Sequence, residues 1–315
     1  MSQLLKPLIE QRADPFVYKH QDGYYYFTAS IPLYDGIELR RSKTIASLAD
    51  AKPVILWRKP DIGPCSALIW APEIHYLQGN WYVYFAAAPS REIKDDLFQH
   101  RMYAIVCKDE NPLSGTWSEP AQIETGIDTF CLDATVFLQK GDLYYLWAQK
   151  HPDIRGNSNL YLSRMKNPLE LETAPVMLTK PEFEWETRGF WVNEGPGILR
   201  HDGRIFITYS SSATDENYAV GLLWADENSD LLDPASWSKS KDPVFTSCPE
   251  HYVFGPGHNS FTKSEDGQED VLVYHARTYT EIVGDPLWDP NRHTYVKKVK
   301  WEENGFPDFG RPSEA

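Results

Sequence analysis

A unit of about 60 residues recurs five times along the chain, and this repeat limits the possible folds more than any other feature. Five dipeptides typical of tight hairpin turns each precede a hydrophobic, strand-like run. These dipeptides are Asp22-Gly23, Gly79-Asn80, Gly141-Asp142, Asp202-Gly203 and Asp266-Gly267. The residues eight positions before the five dipeptides are Asp14, Ala71, Asp133, Glu194 and His258. The intervals between them are 57, 62, 61 and 64 residues.

Each unit has room for four strands. In the second unit, a run at 81–88 follows the turn and another follows at 102–109; in four units a further run begins after a proline, as at 52–57. Four strands per unit without a helical pattern predict an all-β, five-bladed propeller with four-stranded antiparallel blades. Two separate all-β domains are the alternative, but the even spacing shows no boundary, so we predict one domain over 1–315. Whether the first residues help to close the ring stays open.

Composition and charge limit the classes of partner that this chain can bind. The 31 Lys and Arg against 45 Asp and Glu give a net charge of −14, which disfavours nucleic acid and anionic membranes. No run approaches the roughly 18 apolar residues of a membrane span. The first twenty residues show no continuous apolar signal segment, and the four cysteines form no metal-binding pair. We therefore expect a cytoplasmic protein with reduced cysteines.

The repeated position carries ionisable side chains in four units. Inner strands of a propeller begin at one end of the central channel, so Asp14, Asp133, Glu194 and His258 should meet there. Confining several carboxyl groups in a partly dry site costs desolvation and mutual repulsion, which drives their pKa values apart. Such an arrangement is typical of acid/base catalysis.

Segments from all five units, in chain order, resemble glycoside hydrolase family 43. They are ADPFVYKHQDGYYYFTAS (13–30), WAPEIHYLQGNWYVYF (70–85), LDATVF (132–137), NEGPGILRHDGRIFITYS (193–210) and GPGHNS (255–260). The resemblance implies a five-bladed propeller that cleaves arabinose- or xylose-containing polymers and oligomers with inversion at the anomeric carbon.

The same resemblance implies a role for each matching residue. Asp14 corresponds to the general base, Glu194 to the general acid, and Asp133 to a third carboxylate that orients the acid and raises its pKa. His258 corresponds to a channel histidine that holds a hydrated calcium or other ion in several relatives. Arg277 corresponds to an arginine near the base and the sugar. No cofactor is expected to be required for the chemistry.

Three aromatic residues are candidates to line the sugar pocket: Trp70, Phe190 and Trp191. Packing in the core is the alternative for each. The last two belong to an aromatic insertion at 180–193, which we expect to narrow an open cleft into a pocket that admits only a chain end.

These features predict an exo-acting α-L-arabinofuranosidase that releases arabinose from α-1,5-linked arabino-oligosaccharides. The partner is therefore an arabinose- or xylose-containing oligosaccharide, and the sequence does not indicate an oligomeric state. A β-xylosidase or endo-arabinanase on the same scaffold is an alternative. A non-catalytic sugar-binding propeller is less favoured, because binding alone needs no set of three acids.

Overall fold

Antiparallel strands joined by tight turns form nearly all of the computed structural model, which describes residues 5–312. In three inner hairpins both residues of the two-residue turn have positive φ: Gln78-Gly79, Lys140-Gly141 and Asp202-Gly203. Turns of this kind match the right-handed twist of the strands they join. Consecutive strands of the chain therefore become neighbours in one blade.

The described strands fall into five blades and one small hairpin. Blade 1 contains β1 (Ala13–Lys19), β2 (Tyr25–Ser30), β3 (Gly36–Ser42) and β4 (Val54–Arg58). Blade 2 contains β5 (Ala67–Leu77), β6 (Asn80–Ala88), β7 (Arg101–Cys107) and β8 (Ala121–Gln122). Blade 3 contains β9 (Cys131–Gln139), β10 (Asp142–Gln149), β11 (Asn159–Asn167), β12 (Glu170–Leu171) and β13 (Val176–Thr179). Blade 4 contains β14 (Asn193–His201), β15 (Arg204–Ser211), β16 (Ala219–Asp226) and β17 (Ser238–Lys239). Blade 5 contains β18 (Phe254–Lys263), β19 (Asp270–Arg277) and β20 (His293–Lys298), and the hairpin is β21 (Lys300–Trp301) with β22 (Pro307–Asp308).

The helical segments of the described chain are single 3₁₀ turns in the connections. They are Ala46–Leu48, Glu184–Glu186, Pro234–Ser236, Pro249–His251 and Pro286–Trp288. Within residues 5–312, no helix is long and apolar enough to cross a membrane.

The N-terminal segment closes the ring. Blade 5 has three strands of its own, and the free edge of β20 pairs with the segment before β1. The Leu8 N–H donates to the Thr294 carbonyl and the Thr294 N–H donates to the Ile9 carbonyl, each at 2.8 Å. The predicted five-bladed propeller is confirmed, and the question of closure that the sequence left open is answered.

Every inner strand has a β-bulge at the same place. The strands β1, β5, β9, β14 and β18 surround the axis, each contacting its neighbours. The first bulge residue has positive φ in every blade, between 41° and 55°. These residues are Asp14, Ala71, Asp133, Gly195 and His258.

In the fourth unit, the residue predicted from the sequence therefore lies one position before the structural equivalent of the others. The count from the sequence began the turns of the second and third units at Gly79 and Gly141, whereas the structural turns begin one residue earlier. Gly195 occupies the bulge, and Glu194 is the paired residue before it. A Cβ at Gly195 would lie 2.9 Å from the His258 ring, so this crowded position favours glycine.

The core lies between the blades and is rich in aromatic side chains. Trp81, Trp147, Tyr145 and Tyr274 are among the largest fully buried residues. Large rings of this kind bury about 150–250 Å² each, which helps the sheets to pack face to face. All four cysteines are buried and free, as expected.

Candidate active site

A pocket of about 200 Å³ opens at the end of the channel where the inner strands have their bulges. Its floor carries Asp14, Asp133 and His258 from three bulges, together with Glu194. The structure therefore brings together the four ionisable residues selected from the sequence. They reach the pocket from blades 1, 3, 4 and 5.

Asp14 is surrounded by hydrogen-bond donors. Arg292 Nη1 donates to Oδ1 at 3.1 Å, and Ser30 Oγ lies 2.5 Å from Oδ2. Burial alone would raise the pKa of Asp14, but the Arg292 guanidinium holds it well below its usual value. Asp14 is therefore an ionised carboxylate at neutral pH.

His275 fixes the backbone at Asp14. The Asp14 N–H donates to His275 Nδ1 at 3.0 Å, so the ring proton lies on Nε2. Burial lowers the pKa of His275 to about 3, and the ring is neutral. The positive-φ conformation of Asp14 is thus held by a neutral side chain from the neighbouring blade.

In contrast to Asp14, Glu194 and Asp133 have raised pKa values. Burial raises the pKa of Glu194 to about 7, against the hydrogen bond that Tyr218 donates to Oε1 at 2.9 Å. Burial and then the charge of Glu194 raise the pKa of Asp133 well above its usual value, although Gly195 N–H donates to its Oδ2 at 3.1 Å. Near neutral pH, Asp133 is therefore protonated and Glu194 partly protonated, whereas Asp14 is ionised. One pocket thus holds a carboxylate that can accept a proton and a carboxyl group that can donate one.

His258 lies between two of the carboxyl groups. Its Nδ1 is 3.3 Å from Asp14 Oδ1 and 3.6 Å from Asp133 Oδ2, and burial lowers its pKa. Across the described residues, no three His, Cys, Asp or Glu side chains are arranged to hold a metal ion directly. Calcium takes six to eight oxygen ligands. The side chains around His258 therefore suit only an ion that is bound mainly through water molecules. The hydrated ion at His258 stays a prediction.

Two of the predicted aromatic residues line the pocket. Trp70 forms part of the wall and stacks on His100 with 3.8 Å between ring centroids. Phe190 stands at the mouth and is 50% exposed. Trp191 is not among the lining residues, because its ring packs against the Arg155 guanidinium at 4.1 Å.

The structure also corrects the placement of Arg277. Its guanidinium donates to the carbonyls of Thr214 and Pro286, so it holds two loops together instead of lining the pocket. The arginine beside Asp14 is Arg292, directly before β20. Its Nη2 also donates to Tyr34 Oη at 3.0 Å.

A family model described as glycosyl hydrolases family 43 matches residues 4–307. The chain belongs to glycosyl hydrolase family 43. Among solved structures, this family 43 chain is similar to the crystal structure of an alpha-L-arabinofuranosidase from Lactobacillus brevis. The two are 58% identical with a TM-score of 0.96, over 98% of this chain and 97% of that one.

Two curated relatives from Streptomyces bear the same name, extracellular exo-alpha-(1->5)-L-arabinofuranosidase. The one from Streptomyces avermitilis is 49% identical over 97% of this chain and 63% of its own length. The one from Streptomyces chartreusis is 50% identical over 89% of this chain and 84% of its own length. The family 43 chain thus spans less than two thirds of the length of the first.

The expectation of a cytoplasmic protein is wrong. It depended on an apparent lack of a signal segment, whereas both Streptomyces relatives of this family 43 chain are named extracellular. Sequence identity near one half outweighs an inference from the first twenty residues.

Sequence analysis missed four residues around the family 43 carboxyl groups: Arg292, Tyr218, Ser30 and His275. Arg292 and Tyr218 lie just before strands, outside the register of the repeat. Ser30 and His275 lie on second strands, opposite the residue before the bulge. Ser30 and His275 could have been found by counting forward from each hairpin turn along the second strand, to the residue that pairs with the start of the inner strand.

Proposed function

We propose that this chain is an inverting, exo-acting α-L-arabinofuranosidase that releases arabinose from α-1,5-linked arabino-oligosaccharides. The observation that carries the proposal is the pairing of an ionised Asp14 with a proton-retaining Glu194 in one pocket. Inverting hydrolysis requires one carboxylate and one carboxylic acid on opposite sides of the sugar. The names of the similar proteins from Lactobacillus and Streptomyces support the choice of arabinose.

In the proposed reaction, Asp14 accepts a proton from water as the water oxygen bonds to the anomeric carbon. The glycosidic C–O bond breaks, and Glu194 gives its proton to the departing oxygen. Burial and the negative charge of Asp14 raise the pKa of Glu194 to about 7, which keeps it available as a proton donor near neutral pH. Asp133 is proposed to orient this acid. The proton on Asp14 and the charge on Glu194 are exchanged with solvent before the next turnover.

The rim of the pocket supports exo action. Apolar side chains from three separate loops stand around the mouth: Ile93 after β6, Phe190 before β14 and Leu287 after β19. A concave site enclosed on several sides takes a chain end more readily than the middle of a polymer. Phe190 comes from the aromatic insertion that the sequence placed at this rim.

A time course on linear α-1,5-arabinan tests the proposal. Arabinose as the first and only small product is expected. Early di- and trisaccharides would instead indicate an endo-arabinanase, and activity confined to xylobiose a β-xylosidase. No activity on arabinan, nitrophenyl arabinofuranoside or nitrophenyl xyloside, with sugar binding retained, would indicate a non-catalytic propeller.

A further inference from the structure

Neighbouring blades are joined by a recurring hydrogen bond at the bulges. The N–H of a bulge residue donates to a side chain on the second strand of the preceding blade. The three pairs are Ala71 N to Ser30 Oγ at 2.8 Å, His258 N to Ser210 Oγ at 2.7 Å, and Asp14 N to His275 Nδ1 at 3.0 Å. The three acceptors occupy the same position, because each pairs with the residue before its own bulge. Each bond holds one inner strand to the blade before it.

Ser30 differs from Ser210 in a second contact. Its Oγ also lies 2.5 Å from Asp14 Oδ2, and the side chain is 2% exposed. A hydroxyl group has one proton and two lone pairs. Since Ala71 N–H is itself a donor, Ser30 uses a lone pair for that bond, and its proton is directed at Asp14. The chain of bonds therefore runs one way, from Ala71 through Ser30 to the carboxylate.

The two oxygens of Asp14 are held from different directions. Arg292 donates to Oδ1 and Ser30 donates to Oδ2, which together fix the plane of the carboxylate. A carboxylate has about four acceptor positions, so lone pairs remain for a water molecule in the pocket. The other ionisable groups that act on Asp14 are His258, His275, Asp133 and Glu194.

We propose that Ser30 is a positioning residue for hydrolysis, which donates its only proton to Asp14 Oδ2 and so holds this carboxylate in the orientation that faces the attacking water. The inference rests on the proposed function. It assigns Ser30 two separate tasks: a structural bond to Ala71, which Ser210 repeats in blade 4, and a bond to the base, which Ser210 does not make.

Ser30→Ala tests this assignment with kcat and KM measured on α-1,5-arabinobiose and nitrophenyl arabinofuranoside. We expect kcat to fall about tenfold on both substrates with KM changed less than about twofold, because water activation is needed whatever the leaving group. Ser30→Thr keeps the hydroxyl and should restore kcat.

Ser210→Ala is the matched control, because it removes the same type of bond between blades. Its kcat should fall much less than that of Ser30→Ala on both substrates. The proposal is overturned if Ser30→Ala keeps the kcat of the unmodified chain, or if Ser210→Ala lowers kcat equally. An unmodified chain that releases no arabinose would contradict the proposed function and with it this inference, whereas an active chain with an unaffected Ser30→Ala variant would overturn the inference alone.

Discussion

Surroundings, more than chemical type, distinguish the three carboxyl groups of the pocket. Asp14 and Asp133 are both buried aspartates at positive φ. Arg292 and Ser30 donate to the first, whereas the second faces the carboxyl group of Glu194. A cation beside one and an acid beside the other shift their pKa values in opposite directions. Identical side chains thereby acquire different protonation states.

Glu194→Ala should separate substrates by their leaving groups. Without an acid, α-1,5-arabinobiose should lose about 10²- to 10⁴-fold in kcat, because its departing alkoxide needs a proton. A nitrophenyl arabinofuranoside has a better leaving group and should lose much less. Parallel measurements of kcat on both substrates check this, and equal losses would contradict the assignment of Glu194 as the acid.

Tyr218→Phe should move the alkaline limb of the pH–rate profile to higher pH. The Tyr218 hydroxyl donates to Glu194 and favours its ionised form, so removing the donor raises the pKa of Glu194. In the proposed mechanism the protonated form of Glu194 is the active one, so activity then persists to higher pH. Tyr209→Phe is a suitable control, because Tyr209 donates to the buried Glu186 at 2.9 Å, outside the pocket. A limb that stays in place for Tyr218→Phe would count against this contact.

The three carboxyl groups could be predicted from the sequence, whereas Arg292 could not. Asp14 and Asp133 occupy the repeated position, and Glu194 lies next to it, so both the repeat and the family segments indicate them. Arg292 reaches Asp14 only because the connection after β19 folds back over Tyr34. Arg277 ends strand β19, whereas Arg292 lies in a connection, but the Arg277 guanidinium donates to loop carbonyls.

At the scale of the element, the bulge of each inner strand is what directs functional side chains into the pocket. A bulge inserts one extra residue and bends the strand. Three bulges present Asp14, Asp133 and His258, while the fourth accommodates Gly195 against the His258 ring. The fourth blade therefore provides its acid from the residue before the bulge.

Gly195→Ala should destabilise the fold more than Gly203→Ala. Both glycines have positive φ, which costs an alanine about 1–2 kcal/mol. At Gly203 nothing lies within 4 Å of the added Cβ, whereas at Gly195 the His258 ring lies at 2.9 Å. The clash should add about 1–3 kcal/mol to the loss in free energy of unfolding. Denaturant unfolding of both variants measures the difference, and equal losses would show that the crowding is relieved at no cost.

The register error in the fourth unit has a local cause. A two-residue turn can begin at either of two adjacent residues, and only the backbone conformation decides between them. Gln78 and Lys140 adopt positive φ although neither is a glycine, so the turns begin there. Composition alone favoured the glycines as first residues. The number of blades was unaffected, because an error of one residue is small against a period of about 60.

For the whole molecule, closure of the ring depends on a contact between distant parts of the chain. Ile9 is 5% exposed, packs in a cluster with Val271 and Val273, and pairs with Thr294. No local sequence pattern indicates that Ile9 pairs with Thr294, which lies nearly the full length of the chain away. The five blades could therefore be predicted from the sequence, but the partner that completes the fifth could not.

Ile9→Ala should lower the free energy of unfolding by about 2–4 kcal/mol, because it leaves a cavity where the ring closes. Val283→Ala is the matched control, since Val283 is 98% exposed and its truncation should change stability by less than about 0.5 kcal/mol. Denaturant midpoints of the two variants check this. An Ile9→Ala variant as stable as the control would show that closure does not depend on this contact.

The central claim is that Asp14 activates water on one side of the sugar while Glu194 protonates the leaving oxygen on the other. Its most direct test is proton NMR of nitrophenyl α-L-arabinofuranoside hydrolysis by the unmodified chain, recorded before the released arabinose equilibrates between anomers. An acid and a base acting across a water molecule must invert the anomeric carbon, so the β-anomer of arabinose should appear first. If the α-anomer appeared first, configuration would be retained, and the assigned roles of Asp14 and Glu194 would be wrong.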